Sequence, residues 1–137
     1  MRQTFHKKER LKSRKAISKL FSKQSASFGQ YPLRLIYAAA EEARSASPVQ
    51  FAVSVPKRKF PKAAHRNRIR RQVREAWRRN KHRLYAHWPE DAPPYDFMLL
   101  YVAKEPLPYA DIERAVQIAI KRFRKKALRP ATNRNHR

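Results

Sequence analysis

The chain contains no cysteine. That absence removes disulfides, cysteine-based zinc sites and a thiol nucleophile together, and it fits a reducing compartment. Glycine is almost missing too: Gly29 is the only one. Phosphate-cradling loops of the GxxxxGK(S/T) or GxGxxG type cannot be written with one glycine, so an ordinary nucleotide-binding enzyme is a poor reading. No apolar run approaches the roughly 18 residues of a membrane span. The opening MRQTFHKKERLKSRK lacks the apolar centre of a secretory signal. The expected compartment is the cytoplasm.

Negative charge is the other scarcity. Ten Asp and Glu stand against 34 Lys and Arg. The acids are scattered (Glu41 and Glu42, Glu90 and Asp91, Asp111 and Glu113), with no cluster fit to hold a catalytic metal pair. The five histidines are isolated. His65 lies beside a run of arginines but has no obvious carboxylate partner, so a surface or contact role is the better reading for it.

What remains is a net charge of +24 on a chain of 137 residues, of which 42% are hydrophobic and 11% aromatic. That apolar content is too rich for a disordered basic tail. A compact body repels itself at such a charge, and a polyanionic partner is the usual reason for it. The expectation is one domain at 11–126, with a flexible basic N-terminus at 1–10 and a disordered basic tail at 127–137.

Periodicity gives an outline. SRKAISKLFSKQ (13–24) spaces Ala16, Ile17, Leu20 and Phe21 as a helix, with Ser13 as N-cap. SASFGQYP (25–32) reads as a turn. LRLIYAA (33–39) reads as a strand with Leu33, Leu35 and Tyr37 on one face. After a polar loop at 41–47, VQFAVSV (49–55) alternates with Val49, Phe51, Val53 and Val55 facing one way. A basic connection at 56–64 leads into a helix running to about residue 84. YDFMLLYVA (95–103) is apolar on both faces, as a central strand is. The last helix, 110–126, has the stripe Ile112, Val116, Ala119, Ile120 and Phe123. Its acids lie in the first turn and its bases in the last, matching the helix dipole. The expected architecture is an α+β, single-domain α/β sandwich in the order α-β-β-α-β-α.

The segment HRNRIRRQVREAWRRNKHR (65–83) carries the sharpest signal. At 100° per residue, Ile69, Val73, Ala76 and Trp77 form one stripe that can dock on a sheet, while Asn67, Arg70, Arg71, Arg74 and Arg78 share one outward face. A solvated charged face is the bland explanation. Against it, Arg66, Arg70, Arg74 and Arg78 form an i,i+4 ladder of like charges, which destabilises a helix. The run also prefers Arg, whose guanidinium grips phosphate bidentately and stacks on bases. Nucleic acid is the favoured partner. Asn67 suits a base edge or a hydrated metal, or else caps the helix start. At about 1.5 Å per residue, Asn67 to Arg78 spans about 16 Å, enough for a few phosphates.

Arg66-Asn67-Arg68-Ile69-Arg70-Arg71 followed by Val73-Arg74-Glu75-Ala76-Trp77-Arg78 resembles the RNR motif of the bacterial ribonuclease P protein component. VSVPKRKF before it, ERLKSRKAISKLFSKQ near the start, YDFMLLYVAK and IERAVQIAIKRF after it resemble the family's other segments in order, over about residues 9–126. The resemblance implies the small subunit of a ribozyme that removes the 5′ leader of precursor tRNA by hydrolysing one phosphodiester. The implied partners are a catalytic RNA subunit, with one protein per RNA, and the precursor tRNA. Magnesium is the implied cofactor, held mainly by the RNA subunit, which performs the chemistry; no catalytic or metal-binding residue of the protein is implied. It also implies a left-handed crossover in the strand–helix–strand unit around the RNR helix.

By position, the resemblance assigns Arg66, Asn67, Arg68, Arg70, Arg71 and Arg74 to the RNA-facing helix and Lys57 and Arg58 to the basic pair after the strand. Phe21 matches a leader-binding aromatic, and its alternative is ordinary helix–sheet packing. Ile17 stands where an aromatic is common in the family. On the sheet the counterpart is Ile36 or Tyr37. An aromatic surface for an unpaired strand tolerates any leader sequence. Two other classes share a small, basic composition: a basic structural ribosomal protein of similar architecture, and a DNA-binding helix protein, for which no preceding helix-turn partner is visible.

Overall fold

The computed structural model describes residues 9–40 and 47–128. Most of the expected 41–47 loop, residues 1–8, and residues 129–137 of the expected tail lie outside them. The elements in chain order are α1 (Arg14–Leu20), β1 (Ala26–Gln30), β2 (Leu33–Ala39), β3 (Val49–Ser54), α2 (Ala63–Asn80), α3 (His82–Tyr85), β4 (Tyr95–Tyr101) and α4 (Tyr109–Ala127). One four-stranded sheet runs in the order β1-β2-β4-β3. β1–β2 and β2–β4 are antiparallel, and β3 and β4 pair in parallel, with α2 and α3 in the connection between them.

Strand alternation decides the layers. Leu33 and Leu35 of β2, Val49 and Phe51 of β3, and Phe97, Leu99 and Tyr101 of β4 point to one face. There they pack with the stripe Ile69, Val73, Ala76 and Trp77 of α2 and with Ile112, Val116, Ala119, Ile120 and Phe123 of α4. Trp77 sits at the centre, its ring centroid 4.9 Å from Phe51 and 5.8 Å from Phe97. Ile36 and Ala38 of β2 and Met98 of β4 point to the other face, which α1 covers with Ala16 and Leu20. β4 lies between β2 and β3 and is buried on both faces, as its doubly apolar sequence requires. The protein is thus a helix–sheet–helix sandwich.

Three expectations need correction. The 25–32 segment is not just a turn: it contains β1, held by pairing to β2. As an edge strand it buries only Phe28 of five residues, so it carries no alternating apolar signal. The order therefore has a third strand before α2, and a short α3 after it. The first helix stops at Leu20 rather than 24, with Phe21 as its C-cap; Ser13 is its N-cap, accepting from the Ala16 N–H at 3.2 Å. The domain also begins earlier and ends later than 11–126. Glu9 is 1% exposed, Arg10 bridges to Phe51, and Leu128 is buried after the last residue of α4.

Candidate nucleic-acid interface

α2 positions its charged side chains through its own anchors. Ile69, Val73, Ala76 and Trp77 are all essentially buried, so the helix cannot roll, and Asn67, Arg68 and Arg71 stand exposed with Arg70, Arg74 and Arg78 half-buried beside them. Asn67, Arg71, Arg74, Glu75 and Arg78 surround an open depression of about 360 Å³. It is cationic at its rim and has one carboxylate.

The arginines are not equivalent. The Arg70 NH1 donates to Asn67 Oδ1 at 2.9 Å, which fixes both side chains on the outer face. The N-cap of α2 is Lys62, so capping is not the role of Asn67. Arg74 has its pKa pushed down by burial and then by the charges of Arg10 and Arg70. Cations crowded in this way bind a polyanion with relief of their mutual repulsion. Arg66 turns inward: its NH1 donates to the carbonyls of Phe60 and Pro61, both at 2.8 Å. It ties the basic loop to the helix start, a structural job that helical periodicity does not show.

Arg78 also departs from its expected free outward position. Its Nε and NH2 donate to the two oxygens of Glu75 at 2.8 and 2.6 Å, and Arg79 Nε reaches the same carboxylate at 3.0 Å. The hydrogen bond from Arg78, followed by the charges of Arg78 and Arg79, holds the Glu75 carboxyl below its usual range. The i,i+3 and i,i+4 spacings from Glu75 were the signal available in the sequence for this clamp. Arg10 is the residue that sequence reasoning missed, because its basic surroundings read as a mobile terminus.

Lys57 and Arg58 are exposed on the loop after β3. That loop is shaped by Phe60, which is buried against Tyr101 at 5.7 Å, by the Phe60 N–H to Pro56 carbonyl bond, and by Lys59 Nζ donating to the Val102 carbonyl at 2.9 Å.

The other expected surface lies across the sheet, at α1. Phe21 is 60% exposed at the end of α1, which removes helix–sheet packing as its role. Ile17 is half-buried against the α1 cluster, and Ile36 is buried beneath the helix. Tyr37 is on the opposite face, edge-on to Phe123 at 5.1 Å and near Phe28 and Tyr95. Strand alternation separates the two alternatives: Ile36 shares a face with Phe21, and Tyr37 belongs to the α4 side of the core.

Among the described residues, no three His, Asp or Glu side chains gather into a group that could hold a metal ion. Glu75 is taken by Arg78 and Arg79, Glu9 by Lys81 and Tyr85, and Glu113 accepts from Asn80.

A family model described as Ribonuclease P matches residues 5–124. The chain belongs to the ribonuclease P protein family. The ribonuclease P protein component of Porphyromonas gingivalis is 38% identical over 118 residues, covering 85% of this chain and 84% of that protein. The component from Chlorobium phaeobacteroides is 33% identical over 102 residues, covering 73% and 69%. In fold, the ribonuclease P protein from Thermotoga maritima superimposes with a TM-score of 0.63 at 22% identity, over 83% of this chain and 96% of that one. The Staphylococcus aureus protein gives 0.64 at 18%, over 88% and 98%. This family member is a protein subunit of the ribonuclease P endoribonuclease, an RNA-binding protein of tRNA processing that works with an RNA subunit. The family match does not favour a structural ribosomal protein. No helix among the described residues is long and apolar enough to cross a membrane.

Proposed function

We propose that this subunit works by positioning and electrostatics on two faces, in a cytoplasmic complex of one protein per RNA. The outer face of α2 docks on the catalytic RNA, with Asn67, Arg70, Arg71 and Arg74 as its contacts and Lys57 and Arg58 extending them. Phe21, beside Ile17 and the Ile36 face of the sheet, receives the unpaired 5′ leader of precursor tRNA. The RNA subunit, with magnesium held mainly by its own phosphates, hydrolyses the phosphodiester. The protein's part is to lower the repulsion between leader and RNA subunit and to fix the leader's path.

The observation that carries this reading is the immobilised α2: four buried anchors hold a set of guanidinium groups outward on a protein of net charge +24. Phosphate contacts of this kind supply affinity and register without reading sequence. Phe21 adds a π-face that accepts any base.

Reconstitution tests it. The protein, its RNA subunit and precursor tRNA are combined at physiological salt and low magnesium. The protein is expected to lower the magnesium requirement and to favour precursor over mature tRNA. If it does neither, the reading is wrong.

A further inference from the structure

The β1–β2 hairpin, whose first strand carries no apolar alternation, presents two features that the fold does not need. Tyr31 at its tip is 65% exposed, the highest value among the large hydrophobic side chains of the described residues. A hairpin turn does not call for an aromatic residue there: Pro32 is buried and Gln30 pairs with Leu33 without it. The ring is nevertheless mounted on a firm base. The Val102 N–H donates to the Pro32 carbonyl at 2.9 Å, which ties the tip to the end of β4, and Leu33 is paired with Tyr101.

The second feature is Arg34. It is exposed, it pairs opposite Gly29 on β1, and it lies on the sheet face that carries Ile36. Its NH2 donates to Ser27 Oγ at 3.1 Å, so the guanidinium runs across β1 instead of into solvent. A Cβ at Gly29 would stand 3.3 Å from Arg34 NH1. Gly29 has no positive φ. The only glycine of the chain therefore serves clearance: it leaves room for a guanidinium laid flat over the edge strand. The remaining N–H donors of that group are available to an anion.

Tyr31 follows β1 directly, two residues after Gly29, a backbone rise of roughly 7 Å. An exposed ring and a guanidinium on one hairpin offer the two kinds of contact that a nucleotide takes, a stack for the base and donors for the phosphate. α1 covers the sheet at Ile36, Ala38 and Met98, but not at Arg34, and Leu100 beside Arg34 is only half-buried. The open part of this face thus continues from α1 toward the hairpin tip. Phe21, at the end of α1, precedes β1 in the chain and Tyr31 follows it, and both rings are exposed.

We propose that the β1–β2 hairpin is a second single-strand subsite, where Tyr31 stacks an unpaired base and Arg34 holds the adjoining phosphate, and that its occupant is the part of the 5′ leader beyond Phe21. The inference rests on the leader-binding reading above. The leader is favoured over the RNA subunit because Arg34 shares its sheet face with α1, across the sheet from α2.

The test uses reconstituted holoenzyme with mature tRNA and with precursors carrying a short or a long leader, alongside direct binding of the protein to the RNA subunit. Tyr31→Ala is expected to weaken binding of the long-leader precursor about fivefold or more, the low end for loss of a base–aromatic stack. The short-leader precursor, mature tRNA and RNA-subunit affinities stay unchanged. Tyr31→Phe retains the stack and restores binding. Arg34→Gln lowers the salt dependence of long-leader binding by about 0.7 of a unit or less. Urea unfolding of each variant matches the parent, since both side chains are exposed. Equal losses for short and long leaders, no loss at all, or a loss confined to the RNA subunit overturns the proposal. If the unaltered holoenzyme itself fails to discriminate precursor from mature tRNA, the functional reading falls instead.

Discussion

Lys81 Nζ lies 2.5 Å from Glu9 Oε1, a buried ion pair between residues 72 positions apart in the chain. Tyr85 completes it, its hydroxyl donating to Glu9 Oε2 at 2.7 Å and meeting Ser47 Oγ at 3.1 Å. Burial pushes the Tyr85 phenol up, so it stays protonated and able to donate. The pair joins the segment before α1 to the end of α2, and so holds Arg10 close to Arg74.

Removing one member of this pair leaves a buried charge without compensation. Glu9→Leu and Lys81→Met are each expected to destabilise the fold by about 3–5 kcal/mol, whereas the double variant loses far less than the sum, because two apolar side chains can replace a buried pair. A double-mutant cycle by urea denaturation measures this. Simple additivity would show that the two side chains do not act on each other.

Glu75 is the one carboxylate in the depression on α2, and it holds Arg78 and Arg79. Glu75→Gln is expected to release both cations, tighten RNA binding at low salt, and steepen the dependence of binding on salt by about one unit or less per freed arginine. The pH dependence follows from the direction of the shift. A carboxyl whose folded pKa is lowered contributes its stabilisation above the unfolded value and loses it only as pH falls through the lowered folded value. RNA affinity in the parent is therefore insensitive to Glu75 from neutrality into mild acid. Salt titrations at several pH values check both points; an unchanged slope in the variant would mean that the clamp opens on binding anyway.

Arg66 and Arg70 sit four residues apart in the same motif and do different things. Arg66→Ala removes two charge-assisted bonds to the Phe60 and Pro61 carbonyls and is expected to cost about 1–3 kcal/mol of stability. Arg70→Ala, which removes an exposed bond to Asn67, is expected to leave the unfolding midpoint in place and to lower the salt slope of RNA binding by about one unit or less. Thermal melts read beside salt titrations separate the two. Identical behaviour of the two variants would remove the distinction.

The contrast shows what the sequence could and could not disclose. The anchors of α2, the doubly apolar β4 and the stripe of α4 repeat with the period of their element, and their packing follows from that period. β1 has only Phe28 to bury, so an edge strand of Ser, Gly and Gln left no pattern. Tyr37 and Ile36 are adjacent, and a one-residue change of register exchanges their faces; only pairing to β4 decides between them. Glu9 finds Lys81 through the tertiary fold, and Arg66 folds back on its own loop. These contacts depend on where chain segments meet, which periodicity does not encode. The RNR motif was legible because it combines a stripe and a face within one helix.

Phe21 tests the other surface. At 60% exposure it contributes little to the core, whereas the preceding Leu20, the last residue of α1, is buried against the sheet. Phe21→Ala is thus expected to leave stability nearly unchanged, and Leu20→Ala to cost about 2–5 kcal/mol. Binding should divide the other way. Loss of a base–aromatic stack is worth about 1–3 kcal/mol, so Phe21→Ala weakens holoenzyme affinity for precursor tRNA about fivefold or more and leaves mature tRNA untouched. Phe21→Tyr keeps a π-face and retains the discrimination. Filter binding of precursor and mature tRNA to reconstituted holoenzyme measures the ratio directly. Equal losses for the two ligands would move Phe21 from the leader path to a contact with the tRNA body or the RNA subunit.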